Sequence, residues 1–220
     1  MAFTLINAGP SPFGRKVAVA LIEKGLDYTV QYDLPWSDQT CTPQYSPMQQ
    51  LPILITESGK YIYDSQYILE WLERKFPEKP LVPTGVDAAL EAKLRQLLGE
   101  RLLEVMGSLV FEAIRADPSE AWIERQEKKV VGIFQELDRM VANRHIKESE
   151  PIDLGDVAIG PALLVLESSV GFGHIPDLDV LKWRGRYPNL TKYMARLEKR
   201  PSFAATPYKT MDFNVASAVA

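Results

Sequence analysis

Phe3-Thr4-Leu5-Ile6-Asn7-Ala8-Gly9-Pro10-Ser11-Pro12-Phe13-Gly14-Arg15-Lys16-Val17 decides the architecture. Phe3 to Ile6 reads as a short buried strand, and Asn7-Ala8-Gly9-Pro10 breaks it. Ser11-Pro12 then opens a helix. Serine caps orphan helix N–H groups, and proline suits the first helical position because its missing N–H would be unpaired there. Phe13, Val17 and Leu21 recur at helical spacing and form a core-facing stripe, which Gly25 stops.

Working outward, Tyr28, Val30 and Tyr32 alternate with more polar neighbours, as a second strand does. An irregular, proline-containing stretch runs from Leu34 to Gln50. Pro52 then precedes the apolar run Ile53-Leu54-Ile55, and Ser58-Gly59 turns into Tyr61-Ile62-Tyr63. These two strands are close enough for an antiparallel hairpin. Asp64 or Ser65 caps a helix with apolar positions Leu69, Leu72 and Phe76, ending at Pro77. The order is β-α-β, then β-β-α, a small α/β layer built on a right-handed parallel crossover.

Lys79-Pro80-Leu81-Val82-Pro83-Thr84-Gly85 suits a domain boundary, so the expected division is 1–79, a linker at 80–86, and 87–220. Beyond it the strand signals largely vanish. Leu90, Leu94, Leu97, Leu98, Leu102, Val105, Met106 and Leu109 follow helical spacing for about six turns. A second long helix follows Pro118. Asp153 and Asp156 form a variant capping box before the nearly all-apolar run Val157 to Leu166, which marks a helix buried on every side. Pro161 is expected to kink that helix. A last helix follows Pro188 and ends at Pro201. The C-terminal NVASAVA reads as loose.

Composition narrows the function. With 46% apolar and 25% charged residues, the chain can bury a core. The net charge of −4 divides evenly between 1–79 and 80–220 with no basic tail, which argues against nucleic acid as a partner. The single cysteine, Cys41, rules out an internal disulfide and a Cys-rich zinc site. His145 and His174 lack ligand-like spacing and read as structural or surface residues, so no metal site is expected. No secretory leader is visible, and no segment approaches the ~20 apolar residues that span a bilayer. A cytoplasmic location is the expectation, which makes the acceptor triplet Asn189-Leu190-Thr191 irrelevant.

No P-loop, dinucleotide fingerprint, HExxH or GxSxG occurs, and Gly171-Phe172-Gly173 is a lone GxG without a preceding strand. Ser11 is more informative, because it sits where helix N–H groups converge and the helix dipole favours negative charge. Locally it is either a plain cap or a hydroxyl presented to a ligand.

Taken together, SPFGRKV at the first helix, Leu51-Pro52, Asp64-Ser65, the all-helical second half and the run DLGDVAIGPAL resemble the cytosolic glutathione S-transferases over essentially the whole length. The SPF(x)RK form is most similar to bacterial serine- or cysteine-type members. The resemblance implies an α/β thioredoxin-like N-terminal domain that binds glutathione and an all-α C-terminal domain that supplies most of the electrophile pocket.

Ser11 falls where serine-type members place the hydroxyl that hydrogen-bonds the glutathione sulfur and cysteine-type members their thiol. Cys41 does not match that position and reads as an ordinary cysteine. Leu51-Pro52 looks like the family's cis-proline pair, whose backbone pairs with the cysteinyl part of glutathione. Asp64-Ser65 matches the segment that holds the γ-glutamyl end, although both residues also read as caps. Phe13 belongs to the same glutathione-binding set.

Gln50 departs from the pattern, standing where the family often has a cation for the glycyl carboxylate. Gly14 replaces a commonly aliphatic residue, which implies looser packing beside the thiol. Arg15 faces either the active site or solvent. Trp36, Met106, Phe111 and Trp122 are candidates for the electrophile pocket, and equally for core.

The activity implied is conjugation of the glutathione thiolate to small hydrophobic electrophiles, a detoxification chemistry, by a homodimer using glutathione as co-substrate and no other cofactor. Two alternatives stand beside it: glutathione-dependent isomerisation or reductive lyase chemistry, and a weakly catalytic glutathione-binding scaffold.

Overall fold

A computed structural model describes residues 2–144, 150–171 and 177–211. His145, His174, Phe172-Gly173 and the NVASAVA tail lie outside the described residues.

Four strands form one sheet in the order β2-β1-β3-β4: β1 Phe3–Asn7, β2 Tyr28–Tyr32, β3 Ile53–Ile55 and β4 Tyr61–Tyr63. β1 pairs parallel with β2, with Phe3 opposite Tyr28, and antiparallel with β3, with Leu5 opposite Leu54. β3 and β4 form the expected antiparallel hairpin. Helices α1 (Pro12–Lys24) and α2 (Ser65–Lys75) pack with the sheet. Leu5, Val17, Leu21, Leu54, Ile62, Ile68, Leu69 and Leu72 are buried, so the period-2 and helical stripes meet in one core.

α1 begins and ends as its sequence dictates. Ser11 Oγ accepts from the Gly14 N–H at 3.3 Å, with Pro12 at the first helical position. At the other end Gly25 takes φ 71°, and the Gly25 and Leu26 N–H groups donate to the Ile22 and Leu21 carbonyls at 2.9 Å. Glycine adopts that left-handed conformation without a Cβ penalty.

The elements described beyond β4 and α2 are helices: α3 Val86–Ala113, α4 Glu120–Val141, α5 Leu154–Gly171, α6 Pro188–Leu197 and a short α7 Pro201–Ala204, with a 3-10 turn at Asp179–Leu181. α7 continues the chain as helix past Pro201, because that proline occupies a first-turn position and starts a new helix. α5 is the central element, with Val157, Ile159, Ala162, Leu163 and Leu166 all buried. The helix runs unbroken through Pro161.

The capping box is reciprocal. Asp153 Oδ1 accepts from the Gly155 and Asp156 N–H groups at 2.9 and 3.2 Å, and Asp156 Oδ2 accepts from the Asp153 N–H at 2.9 Å. Around it, Arg95 and Arg144 pair with Asp153 at 2.6 and 2.7 Å, Arg144 also pairs with Asp156, and the Tyr193 hydroxyl donates to Asp156 at 2.7 Å. Not every leucine of α3 is core. Leu90, Leu94 and Leu97 are exposed, while Leu102, Leu103 and Leu109 are buried. No described helix is long and apolar enough to cross a membrane.

Candidate active site

A cleft of about 830 Å3 opens where the N-terminal end of α1 meets the loop before β3, the start of α2 and one face of α3. Of the residues singled out above, Ser11, Phe13, Trp36, Gln50, Leu51, Asp64, Ser65 and Phe111 line it together. They span a hundred positions of sequence, so only the fold assembles them.

Ser11 owes its place to the cap. Its Oγ accepts from Gly14, and among the described residues its hydroxyl donates to no protein acceptor. The hydrogen therefore remains available to a group in the cleft. Gly14 corrects the expectation of loose packing. It is buried, and an added Cβ would lie 1.6 Å from Asn7 Oδ1, so the end of β1 fills the space beside the helix start. Arg15 faces neither the cleft nor open solvent. Its Nη2 donates to the Phe203 carbonyl at 3.3 Å, behind the helix.

Leu51-Pro52 is cis, and Leu51 lines the cleft with Pro52 buried behind it just before β3. Asp64, not Ser65, is the N-cap of α2. Its Oδ1 accepts from the Gln66 and Tyr67 N–H groups at 2.9 and 3.0 Å. Asp64 has φ 71°, a backbone conformation that costs a non-glycine residue of order 1–3 kcal/mol and is sustained here by the cap. Ser65, the first helical residue, is buried at the cleft wall. A helix start of this kind favours an anion.

Trp36 and Phe111 bring an apolar wall from opposite sides. Their ring centroids are 6.3 Å apart at 45°, and both rings are substantially exposed. Met106 and Trp122 do not line the cleft. Met106 packs partly buried against the core, and the Trp122 indole donates to Ser108 at 3.3 Å.

Sequence reasoning missed Lys16, Gln66, Glu100 and Glu104, which also line the cleft. Lys16 and Glu100 are buried and paired at 2.7 Å, joining α1 to α3, and Glu100 also accepts from the Gln66 side chain of α2. Burial lowers the Lys16 pKa, and Glu100 and then Asp64 oppose that shift. The alternating charge of α3 gives no sign of this pairing, because its partner is in another half of the chain. Lys16 is the cation of the described lining, and it is committed to Glu100.

Cys41 stands apart. Its thiol donates to Asp33 Oδ2 at 3.2 Å, and burial together with that carboxylate raises its pKa.

Residues 10–75 match the glutathione S-transferase N-terminal domain. The chain is 35% identical to a solved glutathione S-transferase of Methylobacterium radiotolerans in complex with glutathione sulfonate. That match covers 97% of this chain and 99% of the other, with a TM-score of 0.85. A glutathione S-transferase of Methylobacillus flagellatus KT, solved with glutathione bound, is 27% identical over 94% of this chain and all of its own, with a TM-score of 0.82. The uncharacterised GST-like protein YibF of Escherichia coli K12 is 26% identical over 92% of this chain and 96% of its own.

Proposed function

The chain belongs to the glutathione S-transferase family, and we propose that it conjugates the thiolate of glutathione to small hydrophobic electrophiles. The observation that carries this reading is Ser11: a capping hydroxyl with an uncommitted hydrogen, at a helix N-terminus, opening on a cleft with an apolar wall.

The chemistry follows from acidity. A free thiol has a pKa near ~8.5, so only a few per cent is ionised at neutral pH. A hydroxyl donor and the α1 dipole both favour the sulfur anion, and each unit of pKa depression corresponds to about 1.4 kcal/mol. Ser11 acts as a donor, not as a base or nucleophile. The thiol proton leaves to solvent, and the sulfur lone pair forms the new bond to the electrophilic carbon. That carbon's bond to its leaving group breaks, and the leaving group departs with the electron pair, as chloride does from a chloronitrobenzene.

In this reading the Leu51 backbone ahead of Pro52 pairs with the cysteinyl part as an added strand would, and the Asp64-Ser65 corner holds the γ-glutamyl end. Phe13 and Gln50 complete the glutathione side, with Gln50 near the glycyl end. Trp36 and Phe111 face the electrophile. Residues 1–79 serve as the glutathione-binding domain, 80–86 as linker and 87–220 as the helical domain. The exposed Leu90, Leu94 and Leu97 of α3 support a homodimer, since a row of exposed leucines on one helix suits a partner surface. The cytoplasm and a role in detoxification fit a glutathione-consuming enzyme.

The test is a glutathione titration by calorimetry followed by a panel of soft electrophiles, such as chloronitrobenzenes. Micromolar to millimolar binding with turnover supports the proposal. Absence of glutathione binding refutes it.

A further inference from the structure

With glutathione over Gln50, Leu51 and the Asp64-Ser65 corner, one end of the cleft is left for the second substrate. That end is walled by Leu34, Pro35 and Trp36 from the loop after β2, and by Glu104 and Phe111 from α3. Glu100, Glu104, Gly107 and Phe111 are spaced three or four residues apart in sequence, so they share one face of that helix. Gly107 keeps the face open between Glu104 and Phe111, because a Cβ there would meet nothing within 4 Å.

The charge on these walls is one-sided. Asp64, Glu100 and Glu104 line the cleft against a single cation among the described residues, Lys16, whose ammonium is 2.7 Å from Glu100. Asp64 is engaged in capping α2, and Glu100 in holding Lys16 and Gln66. Glu104 differs. It pairs with Arg101, which lies one turn back on the same helix and does not line the cleft. Both side chains of that pair are more than half exposed, so it contributes little and yields readily to another cation.

The electrophile's end of the cleft therefore combines one exchangeable carboxylate with two aromatic rings whose centroids are 6.3 Å apart. Tryptophan attracts a cation over its face more strongly than other aromatic side chains, and a carboxylate beside it adds to the attraction. An anion meets the same carboxylate and the negative ring faces unfavourably. We propose that the second substrate is a cationic aromatic electrophile, such as a quaternary arylammonium, whose ring lies against Trp36 and Phe111 and whose charge is met by Glu104. This rests on the transferase reading and adds charge selection to it.

The experiment uses three matched chloronitrobenzenes that carry a trimethylammonium, a carboxamide or a carboxylate group para to the chlorine. In each, the thiolate sulfur bonds to the chlorine-bearing carbon and chloride leaves with the bonding pair. Dividing kcat/KM by the rate constant for free glutathione at the same pH removes each compound's own reactivity. The normalised value for the cation should exceed that for the carboxylate about tenfold or more, with the carboxamide between them. Glu104→Gln should shrink this ratio about two- to fivefold, and so should salt at about 1 M, where the Debye length is about 3 Å. Trp36→Leu keeps an apolar contact without a π face, and should cut the cation's advantage over the carboxamide about two- to threefold. Arg101→Gln should leave the cation-to-carboxylate ratio as large or larger.

A ratio near one, or one favouring the carboxylate, overturns the proposal while conjugation of the carboxamide leaves the transferase reading standing. A preference that survives both Glu104→Gln and high salt undiminished overturns it equally. If none of the three compounds is conjugated although calorimetry shows glutathione bound, the transferase reading fails and this proposal fails with it.

Discussion

Two helix starts in this molecule use the same physics to opposite ends. At α5, Asp153 and Asp156 satisfy each other's backbone N–H groups, and Arg95, Arg144 and Tyr193 consume their remaining lone pairs. Both carboxylates there are buried and paired, with Arg95 Nε left without a partner among the described residues and Arg144 half-buried at the edge. At α1, Ser11 accepts one long hydrogen bond of 3.3 Å and keeps its own hydrogen at the mouth of a cleft. A saturated, buried cap holds the fold together; an unsaturated cap facing a cavity is available for chemistry. The difference is not in the capping residue type but in how many partners surround it.

That contrast is most severely tested at α5. Asp156→Ala leaves the buried Tyr193 hydroxyl without its acceptor and Arg144 with Asp153 as its remaining carboxylate, and removing one member of a buried ion pair costs about 3–5 kcal/mol. The measurement is urea unfolding followed by circular dichroism. A loss under about 1 kcal/mol, the scale of an exposed pair, would make the α5 network dispensable.

Ser11→Ala should behave in the reverse sense. Stability should fall only by the loss of a cap, about 0.5–2 kcal/mol. Conjugation near neutral pH should drop roughly ten- to a hundredfold, the equivalent of a hydrogen bond to a charged group worth about 1.5–3 kcal/mol. Steady-state assays beside unfolding curves separate the two effects. A variant that unfolds readily but, where folded, conjugates normally would make α1 another purely structural cap.

How much of this contrast was legible in the sequence differs between its two sides. The strands, the α1 cap and the αL stop at Gly25 follow from short-range rules, because serine, proline and glycine act on their immediate neighbours. The same holds for the Asp153–Asp156 box, whose two members are three residues apart. What surrounds each cap does not follow. Lys16 meets Glu100 across the boundary between the two halves, and Arg144 reaches Asp156 from the end of another helix.

Gly14 and Arg15 depart from what their local sequence implies for that reason. The space beside Gly14 belongs to Asn7, and the environment of Arg15 belongs to the C-terminal segment around Phe203. Helical periodicity also marks apolar positions without saying which are covered, so the exposed Leu90, Leu94 and Leu97 looked the same as the buried Leu102 and Leu109. The resemblance to a family supplied the ligand, which spacing alone does not specify.

The start of α2 lies between the two extremes, with Asp64 saturated as a cap and Ser65 at the cleft wall. Ser65→Ala should raise the KM for glutathione a few-fold to about tenfold with kcat nearly unchanged, because uniform binding is lost. An unchanged KM would assign Ser65 to the structural side of the comparison.

The smallest effect is expected at Cys41, at the start of a short 3-10 turn, Thr42–Gln44, with no side-chain cap. Burial and Asp33 raise its thiol pKa, so at any given pH it holds less thiolate than a free cysteine. Alkylation by iodoacetamide at pH 8 should be slower than that of free glutathione and should accelerate as pH rises through and above the ordinary thiol range. Cys41→Ser should leave conjugation unchanged. Alkylation faster than free glutathione would mean that Cys41 is an activated thiol.

The central claim is that the uncommitted hydrogen of Ser11 stabilises the glutathione thiolate. Its most direct measurement is the ultraviolet thiolate absorbance of bound glutathione, titrated against pH in the wild-type chain and in Ser11→Ala. The bound-thiol pKa is expected below ~8.5 in the wild type, rising by about 1–2 units in the variant, the equivalent of about 1.5–3 kcal/mol. Identical titration curves in the two proteins, with glutathione bound in both, would contradict it.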